Sequence, residues 1–133
     1  MTSVFLAIQD LARRIVTIES ARAKAADPQV DEAVLVCEKL RVPLSRLAGP
    51  AGFSSLLFRA LALSKAEVPA LGVVQVRPDG SLTGFDEIEP DQEKGRVVLV
   101  AHLLGLLATF IGESLTRRLA CDVWPDASIE TQE

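Results

Sequence analysis

Apolar residues recur along the first part of the chain at Val4, Ile8, Leu11, Ile15 and Ile18, a 4-3-4-3 spacing widened by Phe5, Ala12 and Val16. That period places one stripe on a helix, so an amphipathic helix is predicted from Thr2 to about Ala26, where Asp27-Pro28 ends it. A second helix is predicted from near Asp31, burying Val34, Cys37 and Leu40. Pro43 removes an intrahelical hydrogen bond, so this element should bend there before reaching Leu47. Gly49 then supplies a stop and Pro50 a favourable first-turn residue. A third helix follows to about Lys65, with Phe53, Leu56, Leu57, Ala60 and Leu61 on its buried side.

The period changes between Gly72 and Phe85, where β-branched Val74 and Val76 precede Pro78-Asp79-Gly80 and then Leu82. This pattern predicts a β-hairpin near 72–85. The acidic run DEIEPDQEK leads into a long final helix, predicted from about Pro90 to Asp122, with Pro90, Asp91 and Glu93 suited to its positive end. Trp124-Pro125 closes it.

The predicted fold class is mainly α. It is an antiparallel bundle of about four helices, the second bent, around a long apolar C-terminal helix, with one β-hairpin inserted before that helix. The expected organisation is a single helical domain over 1–125 and a polar flexible tail over 126–133.

Within the final helix, VVLVAHLLGLLATFIG has three distinct sides when its residues are placed ~100° apart. Leu99, Leu103, Leu106, Leu107 and Phe110 form a bulky side, whereas His102, Thr109, Glu113 and Thr116 occupy a narrow polar strip. Ala101, Gly105, Ala108 and Gly112 line up as a small-residue seam. Each glycine costs a helix about 1 kcal/mol relative to alanine, so the seam implies close approach by another helix. The first helix of the same chain is the favoured partner, ahead of the same helix in a second copy.

The uncharged run from Val97 to Gly112 has 16 residues and contains His102 and Thr109. At about 1.5 Å per residue it falls short of the ~30 Å hydrocarbon core, so no stable membrane span is expected. The chain has 133 residues, of which 49% are hydrophobic and 24% charged, and a formal net charge of -4. Its charges are scattered, which gives no electrostatic basis for nucleic-acid binding. Two widely separated cysteines, Cys37 and Cys121, and a start without a basic leader point to a reduced cytoplasmic location.

Chemistry has few candidates. His102 is the sole histidine, so any triad depends on it alone, and multi-histidine metal sites are excluded. No serine lies in a nucleophile-elbow pattern, and the glycines never fall into a phosphate-cradling spacing. No catalytic residue, metal site or cofactor is assigned. The carboxylates at Glu87, Glu89, Asp91 and Glu93 read as helix-start electrostatics.

The segment AHLLGLLATFIG resembles, over these twelve residues, the helix of histidine-containing phosphotransfer domains. The resemblance implies a phosphorylatable His102 beside a small-residue docking patch. Those domains usually carry a lysine three residues beyond the histidine and then a glycine, whereas this chain has Gly105 and Leu106. The cation that would partner a phosphoryl group is therefore missing from the pattern.

Arg13 with Arg14, and Arg117 with Arg118, are two basic pairs on the first and last helices, either solvated or able to dock an acidic partner. Trp124 reads first as an anchor for the helix end and second as an interface residue. The expected function is a non-catalytic, soluble protein-interaction or regulatory module whose partner is another protein or a second copy forming a homodimer. The alternatives are a phosphotransfer-like signalling protein using His102, and a small-molecule-sensing or membrane-associating helical domain.

Overall fold

The computed structural model describes residues 2–26, 31–87, 93–125 and 127. Over these the chain forms α1 (Thr2–Ala26), α2 (Glu32–Glu67), a 3-10 turn (Pro69–Val73), β1 (Gln75–Val76), β2 (Leu82–Thr83), a second 3-10 turn (Phe85–Glu87), α3 (Glu93–Ile111) and α4 (Glu113–Val123). The mainly helical bundle with a small antiparallel hairpin is the predicted fold class.

Helix α1 buries Ile8, Leu11, Ala12, Ile15 and Val16, the stripe read from its periodicity; the expected contributions of Val4 and Phe5 lie outside the described side chains. One turn further along the same stripe stands Glu19, 1% exposed. Asp31 caps α2, its Oδ1 accepting from the Ala33 N–H at 2.8 Å. Ala33, Val36, Cys37, Leu40 and Leu44 face the core from the first arm of α2, and Phe53, Leu57, Ala60, Leu61 and Ser64 from the second.

The bend expected at Pro43 does not form, whereas the stop expected at Gly49 does. Helical backbone continues through Pro43, and the break comes at Gly49, with φ 81° and ψ 162°. A proline costs a helix one hydrogen bond and some crowding, but glycine has no Cβ to resist this positive φ. Pro50 then occupies the first turn of the new arm, where its missing N–H has no helical acceptor to lose. The arm runs to Glu67 and stops where the Val68 N–H bonds Ser64 O at 2.8 Å, ahead of Pro69.

The strands pair with Gln75 opposite Thr83 and Val76 opposite Leu82. Their turn is built by Asp79, whose Oδ1 accepts from the Ser81 N–H at 3.0 Å and the Ser81 hydroxyl at 2.7 Å. These bonds, the hydroxyl's first, hold the exposed Asp79 carboxyl below its ordinary range. Arg41 docks the turn on α2, donating to Asp79 O at 2.7 Å while its guanidinium lies 5.2 Å from the Phe53 ring centroid. Gly84, at φ 100°, lies so close to the Val73 backbone that a Cβ would collide with it.

The final helix is also divided. Gly112 has φ 97° and ψ 152°, separating α3 from α4 instead of continuing one helix to Asp122. Its N–H still bonds Ala108 O at 2.8 Å, and its carbonyl accepts from the Thr116 hydroxyl at 2.8 Å, so the backbone is satisfied on both sides of the break. Leu99, Val100, Leu103, Leu104 and Leu107 of α3 are fully buried against α1 and α2. Val100 and Leu104 thus join the core, while Phe110, at the end of the bulky side, is 61% exposed. Pro90 and Asp91, expected in the first turn, and residues 126 and 128–133 of the expected tail lie outside the described residues. Ala127, assigned to that tail, is 2% exposed and packs with the core.

Candidate functional site

Two helices and the end of a third enclose a groove of about 520 Å³. From α1 it takes Gln9, Arg13 and Thr17, spaced four residues apart and therefore stacked on one helical face. From α3 it takes Lys94, Val97, Val98 and Ala101, and Glu67 closes the lining from the last turn of α2. Valine and alanine side chains supply its apolar part. Arg13 and Lys94 supply two cations, and neither has an ion-pair partner among the described residues.

His102 stands one residue beyond this lining. Its Nε2 lies 2.9 Å from Glu67 Oε1, so the ring nitrogen donates to a carboxylate and ties α3 to the end of α2. A phosphoryl group on Nε2 would displace that bond and set its charge against Glu67. His102 is half-buried, and among the described residues Glu67 is the hydrogen-bond partner of its ring.

The small-residue seam is brought together only in part. Ala101 is 6% exposed and lines the groove, and Ala108 is half-buried. A Cβ on Gly105 or Gly112 would meet nothing within 4 Å, and Gly112 has left the helix altogether. Among the described residues no backbone fills the seam at either glycine, contrary to the expected packing of the first helix there. Gly105→Ala should therefore stabilise the fold by about 0.5–1 kcal/mol, because it removes backbone freedom from the unfolded chain without a steric cost. Chemical denaturation of the variant checks this; a lower midpoint would mean that Gly105 is covered in solution.

Arg117 bonds Glu113 Oε2 at 3.3 Å across one turn of α4, and Arg118 is exposed. Arg14 pairs with Asp10 on α1. The two basic pairs thus do not act as pairs: Arg13 faces the groove while Arg14 is held within its own helix. Trp124 is fully buried, its Nε1 donating to Glu19 Oε2 at 2.8 Å, which places it in the core and not on a surface. Cys37 is buried, and burial first, then the charges of Glu38 and Asp31, pushes its thiol up to about 12, so it holds no thiolate at neutral pH. Among the described residues no three metal-ligating side chains gather.

No protein-family model, curated protein or solved structure matches this chain.

Three features escape a reading of the sequence. Glu19 accepts from Trp124, pairs with Lys39, and has Arg22 at 3.7 Å. Arg96, 4% exposed, donates to Asp31 Oδ2 at 2.7 Å, and its guanidinium lies 5.8 Å from the Phe85 ring centroid. The groove itself joins residues more than seventy positions apart. Signals for the first two were present, since Glu19 continues the α1 stripe and Arg96 stands three residues before Leu99 on the buried side of α3.

Apolar surface is also distributed unevenly. Among the described residues two helices are long and apolar enough to cross a membrane by length and composition, α2 and the stretch Lys94–Ile111. The α3 stretch is 56% buried within the fold, but the most apolar 18 residues of α2 are only 28% buried. In the second arm of α2 the exposed residues include Ala51, Ser55, Phe58, Ala62 and Leu63, with Phe58 65% and Leu63 42% exposed.

Proposed function

We propose that this protein is a non-catalytic interaction or regulatory module that docks through the outer face of the second arm of α2. The observation that carries the reading is Phe58, an aromatic ring 65% exposed in line with the small residues Ala51, Ser55 and Ala62 and flanked by exposed Arg59 and Leu63. Aromatic side chains contribute heavily to association because they remove a large apolar area from water at little conformational cost. Ala51, Ser55 and Ala62 beside it let a facing helix approach closely. A single stripe thus offers both a projecting ring and shallow ground on which a ring can rest, which is the self-complementarity that an isologous dimer uses. A second copy of the chain is accordingly the partner proposed.

Sedimentation velocity across a concentration series tests this. The native chain should associate reversibly, and Phe58→Ser should weaken the association at least about tenfold while moving the monomer's unfolding free energy by no more than about 0.5 kcal/mol. A native chain that stays monomeric throughout, or a Phe58→Ser variant that associates equally well, would remove the proposal.

A further inference from the structure

We infer that the groove between α1 and α3 is a binding site for a small amphipathic carboxylate, an organic acid with an aliphatic or aromatic body. The inference is independent of the docking face on α2, because the groove lining and the Phe58 stripe have no residue in common.

Its charge selects an anion. Arg13 and Lys94 approach the groove from different helices, and among the described residues neither is neutralised by a carboxylate. The acidic member of the lining, Glu67, is already engaged by His102 at 2.9 Å. A guanidinium presents paired donors in one plane, which matches the two oxygens of a carboxylate, and an ammonium adds a point charge from the side. Gln9 and Thr17, one turn to either side of Arg13, place an amide and a hydroxyl within the same row.

Its remaining surface selects an apolar body. Val97, Val98 and Ala101 form a strip along α3 that a hydrocarbon chain or ring would cover, removing both surfaces from water. The volume of about 520 Å³ lies within the range of small-molecule sites, and an apolar floor with a few convergent polar groups is their usual composition. A fully hydrophilic anion would leave the strip wet, and a neutral hydrocarbon would leave the two cations without a counter-charge.

Isothermal titration calorimetry of the full chain with octanoate and 2-naphthoate, and with 1-octanol as the uncharged counterpart, tests the site. Both acids should bind, 1-octanol should bind at least about tenfold more weakly, and Arg13→Gln and Lys94→Gln should each weaken the acids about tenfold, the effect of removing one charge-assisted hydrogen bond. Both positions are exposed, so circular dichroism of these variants should match the native chain. Thr17→Trp, also exposed, should obstruct the groove, whereas Phe58→Ser should leave acid binding unchanged. Absence of binding by both acids, equal binding of acid and alcohol, or acid binding insensitive to the two charge substitutions would each overturn the inference. Loss of acid binding in Phe58→Ser would overturn it too, since the ligand would then be on α2.

Discussion

Arg96→Ala will lower the unfolding free energy by about 3–5 kcal/mol, the usual consequence of removing one partner from a buried ion pair. The Arg96 side chain is 5% and that of Asp31 13% exposed, so the carboxylate left behind cannot recover full hydration. Asp31 also caps α2 through its other oxygen, which makes the loss felt at the start of the longest helix. Arg96 thereby fixes the first turn of α3 against the first turn of α2, with Phe85 packed on the guanidinium and Glu32 Oε2 4.0 Å away. Pairing Arg96→Met with Asp31→Asn should recover much of the loss, because two neutral side chains of similar volume leave no buried charge behind. Urea unfolding of the single and double variants measures both quantities. A loss below about 1 kcal/mol in Arg96→Ala would mean that water reaches this pair freely.

Local periodicity explains how much of this fold was legible. The 4-3-4-3 stripe of α1 and the turn chemistry of Pro78-Asp79-Gly80 act over a few residues, and both elements form where they were predicted. Helix interruptions were partly legible: the break at Gly49 ahead of Pro50 forms as predicted, but the bend predicted at Pro43 does not, because a proline only permits a break and what packs behind it decides. Gly112 posed the same ambiguity: a glycine within an apolar run serves equally as a packing seam or as a hinge, and Glu113, the first residue of α4, was the available hint of a restart. Glu19 and Arg96 show the opposite limit. Each carries a charge on an apolar stripe, which the stripe alone cannot justify; the partners lie 20, 65 and 105 residues away, at Lys39 for Glu19, Asp31 for Arg96 and Trp124 for Glu19. The groove follows the same logic. Gln9, Arg13 and Thr17 look like an ordinary solvated face until α3 is laid beside them.

Trp124→Ala should also cost about 3–5 kcal/mol, through the loss of a large buried ring and the cavity it leaves. The residue is fully buried beyond the last turn of α4, where its N–H bonds Ala120 O at 2.8 Å and its indole N–H reaches Glu19. Oε2 of Glu19 accepts from both Trp124 and Lys39, so one carboxylate oxygen joins α1, α2 and the end of α4. Trp124→Phe separates the two contributions. It keeps most of the apolar burial and removes the indole donor, so its cost should fall to about 1–2 kcal/mol, the value of a hydrogen bond to a charged acceptor less what Lys39 continues to supply. Glu19→Leu should cost more than Trp124→Phe, since it leaves both the indole N–H and the Lys39 ammonium to find other acceptors. Trp124 is the sole tryptophan, so its intrinsic fluorescence follows unfolding in the native chain and in Glu19→Leu, and circular dichroism serves for the tryptophan variants. If Trp124→Ala cost less than about 1 kcal/mol, the end of α4 would not be docked in solution, and Glu19 would have to be satisfied by Lys39 and water alone.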